Sequence, residues 1–327
     1  MRKIDLYQTT QKKILKSSTS VFFLLFALLL SGCVTAHFTE PISSFRNSIN
    51  ASSSAIGAYY TQLNEFEREI YLDERLYSTD LQERAVSLTK DGKPTSLLGN
   101  FSAQSIKART DAIVLLGVYA QRLGDLAGSE APQQFAEGTK ILGDNLFNLQ
   151  KTFEKLGNGT DSTAKNYFAP IGTIVGVIGS IYLQGERDAQ VKIAIEKGAP
   201  AVRNVMDLLQ KDFTDVIIPL QETGLKDKLA LRVGYYNDHL GDSFQQRKQM
   251  LAEIATVASQ YNGAINANPV NLIQTMRGAH EALVKYATSP KTPQNFAELI
   301  SALETFKNNV QEVSNAINQI RNLKKGE

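Results

Sequence analysis

Residues 41–76 read PISSFRNSINASSSAIGAYYTQLNEFEREIYLDERL. Apolar or small residues recur at Ile42, Phe45, Ile49, Ser52, Ile56, Tyr59, Leu63, Phe66 and Ile70, in steps of three and four. That spacing puts all nine on one stripe of a helix, the a and d positions of about four heptads. Pro41 suits a first helical position, and Glu65, Glu67, Arg68 and Glu69 suit a face turned to water. The stretch predicts one long helix over 41–76. A stripe of this length needs partners of the same kind.

The C-terminus supplies one. Phe296, Leu299, Leu303, Phe306, Val310, Val313, Ile317 and Ile320 repeat the same steps behind Thr292 and Pro293, a helix cap and a first helical position. Between the two ends the periodicity predicts helices over about 102–127, 131–156, 199–221, 224–261 and 269–287. KDGKPTS (90–96), GNGTDS (157–162), NGAINANP (262–269) and SPKTP (289–293) are the breaks. No run of alternating β-branched residues marks a strand. The expected fold is all-α: an elongated antiparallel helical bundle of long helices packed in coiled-coil fashion.

The N-terminus is of another kind. Arg2, Lys3, Lys12, Lys13 and Lys16 precede ten apolar residues, Val21 to Leu30. Ten residues cover about half of a ~30 Å hydrocarbon core, too short to span it. A basic segment, a short apolar run and small residues make a secretory leader. Leu30-Ser31-Gly32-Cys33 resembles the bacterial lipobox. The resemblance implies a diacylglycerol on the Cys33 thiol, cleavage just before Cys33 and acylation of the new amino group. It also implies the outer membrane of a Gram-negative cell, because Val34 stands where an inner-membrane lipoprotein commonly has Asp. Two or more acyl chains hold firmly where one gives marginal anchoring. The expected organisation is a cleaved leader (1–32), a short anchor linker (33–40) and a helical domain (41–327).

Charge follows the same division. Residues 1–32 hold five of the 35 basic and one of the 33 acidic side chains, so residues 33–327 carry 30 against 32. Nucleic-acid binding, which needs a clustered basic face, is not expected. The expected partners are a membrane, through acyl chains on Cys33, and a protein of unspecified kind.

One segment departs from the amphipathic pattern. NYFAPIGTIVGVIGSIYLQG (166–185) has no charge, and Gly172, Gly176 and Gly179 fall on one side of a helix, with Ile174 and Ile178 among the apolar residues around them. Gly172 and Gly176 form a small-xxx-small pair. Three readings stand: a buried central helix or hairpin, a membrane-inserting element, or an exposed patch that binds a partner. Long helices flanking an uncharged Gly-rich stretch are similar in general layout to helical pore-forming toxins of the cytolysin A and haemolysin BL type. That likeness implies insertion of 166–185, although a lipidated N-terminus departs from it.

Catalytic and metal constellations are missing. None of His37, His239 and His280 has Glu three residues before it, which excludes the helical di-iron pattern. HEALV (280–284) has no second His for a zincin, and Cys33 is the only thiol. His239 and Asp242 in YYNDHLGD (235–242) suit a helix-surface pair. Glu65, Glu69 and Asp73 are a conceivable cation site or, in the simpler reading, an outer face. No nucleophile elbow and no phosphate loop is present. No cofactor, metal or catalytic residue is expected. The function expected is that of a lipid-anchored, non-catalytic scaffold or binding protein of the cell envelope; the alternative is a membrane-active protein inserting 166–185.

Overall fold

The computed structural model describes residues 36–78, 80–99, 101–128, 172–174, 176 and 187–325. Among these the fold is all-α, a helical bundle. Helix α1 spans Ala36–Tyr77, α2 Ala103–Gly128, α3 Arg187–Asp212, α4 Ile218–Asp238, α5 Phe244–Asn266, α6 Pro269–Thr288 and α7 Pro293–Lys325. The predicted helix 131–156 lies outside the described residues.

All nine stripe positions of α1 are buried. The helix packs against α2, α4, α6 and α7, so its core-facing surface is wider than one seam. Tyr60 and Tyr71, off the stripe, are buried as well. The stripe of α7 is buried from Leu299 to Ile320. At about 1.5 Å per residue, α1 is about 63 Å long.

Three boundaries differ from those the sequence predicts. Helix α1 begins at Ala36, so Pro41 lies inside it. The added turn is held by Phe38, buried with its ring edge-to-face on Tyr286 at 5.3 Å and beneath the Lys291 ammonium at 4.8 Å. Helix α3 begins at Arg187 and runs through Pro200, leaving the Glu196 carbonyl without its usual donor. The chain is then continuously helical into α4 through a π-turn, Phe213–Ile217. Pro219 explains its place. Its ring cannot donate to the Asp215 carbonyl, and the broken ladder widens into a π-turn there.

The predicted helix 224–261 is two helices. The chain turns at 239–243, and α4 and α5 pack on each other. Ser243 stops one and starts the other. Its hydroxyl accepts from the Gln246 amide at 3.4 Å, while the Gln246 side chain accepts from the Ser243 amide at 3.1 Å. This reciprocal cap satisfies two otherwise orphaned donors. The break at 90–96 holds a two-residue hairpin, Thr89–Lys90 paired with Lys93–Pro94. Asp91 and Gly92 turn it with positive φ of 53° and 74°, the mirror turn that matches strand twist.

A buried ion pair fixes how α2 meets α3. Arg109 Nε donates to Asp212 Oδ2 at 2.6 Å and Nη2 to Oδ1 at 3.2 Å, with both side chains almost fully buried. The Tyr60 hydroxyl donates to Asp212 at 3.1 Å, and Arg109 also donates to the Ser105 hydroxyl. The guanidinium lies 5.4 Å from the Phe101 ring centroid. Both oxygens of the carboxylate thus accept hydrogen bonds, which a buried charge requires.

Arg109→Met strands the Asp212 charge in the core and should cost about 3–5 kcal/mol in denaturant unfolding, whereas Arg109→Met with Asp212→Leu should recover most of it. A single-variant loss below about 1 kcal/mol would show that the pair does not hold the helices.

Candidate functional site

Two acids of the α1 stack, Glu69 and Asp73, form neither an open cation site nor an outer face. Lys228 of α4, buried, donates to Glu69 at 2.5 Å. Arg232 donates to Asp73 at 3.1 Å and to Glu253 of α5 at 3.4 Å. Glu69 and Asp73 are the α1 half of a charged seam against α4 and α5. Burial pulls the Arg232 pKa down, and the bond to Asp73 with its charge more than offsets this and holds it above its ordinary value.

The seam ends in a groove. Leu76 and Tyr77 of α1, Arg232 and Tyr235 of α4, and Gln246, Gln249, Met250 and Glu253 of α5 surround about 220 Å3. The Tyr77 and Tyr235 rings lie 4.6 Å apart, and His239 stacks on Tyr235 at 4.0 Å. His239 Nδ1 donates to the Tyr235 carbonyl at 2.8 Å. His239 and Asp242 therefore sit in the turn and do not form the expected helix-surface pair. Burial foremost pushes the Tyr77 phenol up, with Asp73 and Glu253 adding to it and Arg232 opposing it. A second groove, about 860 Å3, lies at the opposite end of α1. Ser43, Ser44 and Asn47 line it on one side and Lys307, Val310 and Gln311 on the other.

His280 lies between the ends and is not at a surface. Its ring is buried, 5.8 Å from both Phe45 and Tyr119, and Nε2 has no hydrogen-bond partner among the described residues. Burial, with the Arg203 charge behind it, pushes its pKa down to about 4. The buried Tyr119 hydroxyl is also without a partner among the described residues, and burial pushes its pKa up. Gly198 of α3 allows this packing, since a Cβ there would come within 2.7 Å of the Tyr119 ring.

Leu30, Ser31, Gly32, Cys33 and Val34 lie outside the described residues, as do Ile178 and Gly179. Ile174 is fully buried in the main core, while Gly172 and Gly176 are exposed. Among the described residues no helix is long and apolar enough to cross a membrane, and no cluster of His, Cys, Asp or Glu is placed to hold a metal. Sequence reasoning missed Arg109, Asp212 and Lys228. The signal was present: each sits at a three- or four-residue step from buried apolar neighbours, a charge on an apolar stripe. No protein-family model, curated protein or solved structure matches this chain.

Because its folded pKa is about 4 against 6.5 in the open chain, His280 must be neutral for the core to close. Stability from this group is full above about pH 6.5 and falls as pH drops toward 4, by on the order of 3 kcal/mol. Unfolding of His280→Leu should depend less steeply on pH across that window than unfolding of the parent; equal slopes would exclude the imidazole as the cause.

Proposed function

We propose that this chain is a lipid-anchored protein of the cell envelope, a non-catalytic antiparallel helical bundle that serves as scaffold or binding protein. The observation that carries it is Leu30-Ser31-Gly32-Cys33 behind a basic and apolar leader. Acyl chains on Cys33 hold the protein to a membrane, and Val34 favours the outer one. The position of α1 supports the reading. Its first turn starts at Ala36, three residues beyond Cys33, and Phe38 is already part of the core. An anchor so close to the body holds one end of α1 at the bilayer, while the helix carries its other end about 60 Å along its axis. A binding role needs surface features and no reaction centre. The charged groups in the interior are bonded to one another or, like His280, neutral.

Insertion of 166–185 is not part of this proposal; among the described residues of that segment Ile174 is buried in the main core, and Gly172, Thr173 and Gly176 are exposed.

Cells fed radiolabelled palmitate should incorporate label into the protein, and Cys33→Ala should abolish incorporation and release the chain from the membrane fraction. Label retained in Cys33→Ala would overturn the anchor.

A further inference from the structure

Thirteen large apolar side chains are exposed among the described residues, and several of them lie at the α1 C-terminus, in the segment that follows it or at the α4–α5 turn. Leu76 is there at the end of α1, Leu81 and Leu88 in the segment that follows, and Leu240 and Phe244 at the α4–α5 turn. The groove of Tyr77, Tyr235, Gln246 and Gln249 opens within that end, and its chemistry limits what it can take.

Its charges are spent. Arg232 is bonded to Asp73 and Glu253, and Gln249 Nε2 donates to Glu253 at 3.3 Å. An anion meets two carboxylates around one guanidinium. A cation finds both carboxylates already bonded. What remains open is neutral. Gln246 uses its Oε1 on Ser243 and bonds no described residue through its amide nitrogen. Gln249 likewise has its Oε1 free of described partners. Tyr77 and Tyr235 add ring carbons and half-buried phenols, surfaces that are apolar along the ring and polar at the tip. One amide donor, one amide acceptor and two hydroxyls beside ring carbons suit a ligand whose hydroxyls alternate with C–H faces. The volume, about 220 Å3, is below the roughly 300–1,000 Å3 of drug-sized sites, so it admits one ring.

We propose that this groove binds a neutral sugar ring of a glycan, at the end of α1 opposite the anchor. The proposal supplies a ligand class for the binding protein inferred above and rests on that reading only in treating the chain as non-catalytic. It does not need acylation at Cys33, so fatty-acid labelling and sugar binding can fail separately.

The test uses the full chain in detergent with maltotriose and tri-N-acetylchitotriose as probes, and the peptide Ala-Tyr-Ala as a protein-like competitor. Saturation-transfer NMR detects contact, and calorimetry gives the affinity. At least one saccharide should bind. Tyr77→Ala should weaken it tenfold or more and Gln249→Ala threefold or more, while Asn47→Ala in the other groove should change nothing. Gln249 is exposed on α5, so that variant leaves the fold intact even if Tyr77→Ala does not. Failure of both saccharides to bind would overturn the proposal, as would binding unchanged in Gln249→Ala. Binding of the peptide alone would overturn it in favour of a protein segment.

Discussion

Covering the apolar face of α1 is the constraint on which the other helices depend. Nine stripe positions, with Phe38, Tyr60 and Tyr71 beside them, give this helix more apolar surface than one neighbour can cover. At about 25 cal/mol per Å2, leaving such a face in water would outweigh the net stability of an ordinary domain. Helices α2, α4, α6 and α7 all pack on it. Apolar burial has little directional preference, so it explains why the helices gather and not why they meet in one register.

Register comes from the charges. Arg109 and Asp212 can be buried only together, and the bidentate fit tolerates little sliding of α2 along α3. Tyr60 ties α1 to the same carboxylate. Farther along, Lys228 and Arg232 fasten α4 to Glu69 and Asp73, and Arg232 reaches α5 through Glu253. The π-turn lies directly after Asp212, so Pro219 sets the geometry of the helix that carries these groups. Interior polarity here has a structural use, and His280 among aromatic rings extends it: a neutral imidazole fills the centre of the bundle.

The two ends of α1 differ in what they offer. Near Ala36 lies a wide groove lined by serines and Asn47, a short chain length from Cys33. Near Tyr77 lie exposed leucines, a ring stack and a small groove whose charges cancel one another. One long helix separates the end proposed for attachment from the end proposed for binding. That polarity follows from the length of one helix and from which residues stand at its termini.

The sequence alone determined the helical class, the buried stripes of α1 and α7, and the turns near 262–269 and 289–293, because periodicity and Gly/Pro chemistry are local properties. It also carries Leu30-Ser31-Gly32-Cys33, a linear resemblance to the lipobox on which the proposed anchor rests. Tertiary structure alone decided the rest. Glu69 and Asp73 look solvated in one dimension and face Lys228 and Arg232 in three. Arg109 is 103 residues from Asp212, and no local rule pairs residues so far apart. The first turn of α1 forms because Phe38 finds Tyr286, and the groove at Tyr77 exists because α4 folds back at Ser243 to place α5 beside it. Local spacing tells which face of a helix is apolar. Which charge sits across from it depends on how distant segments are brought together.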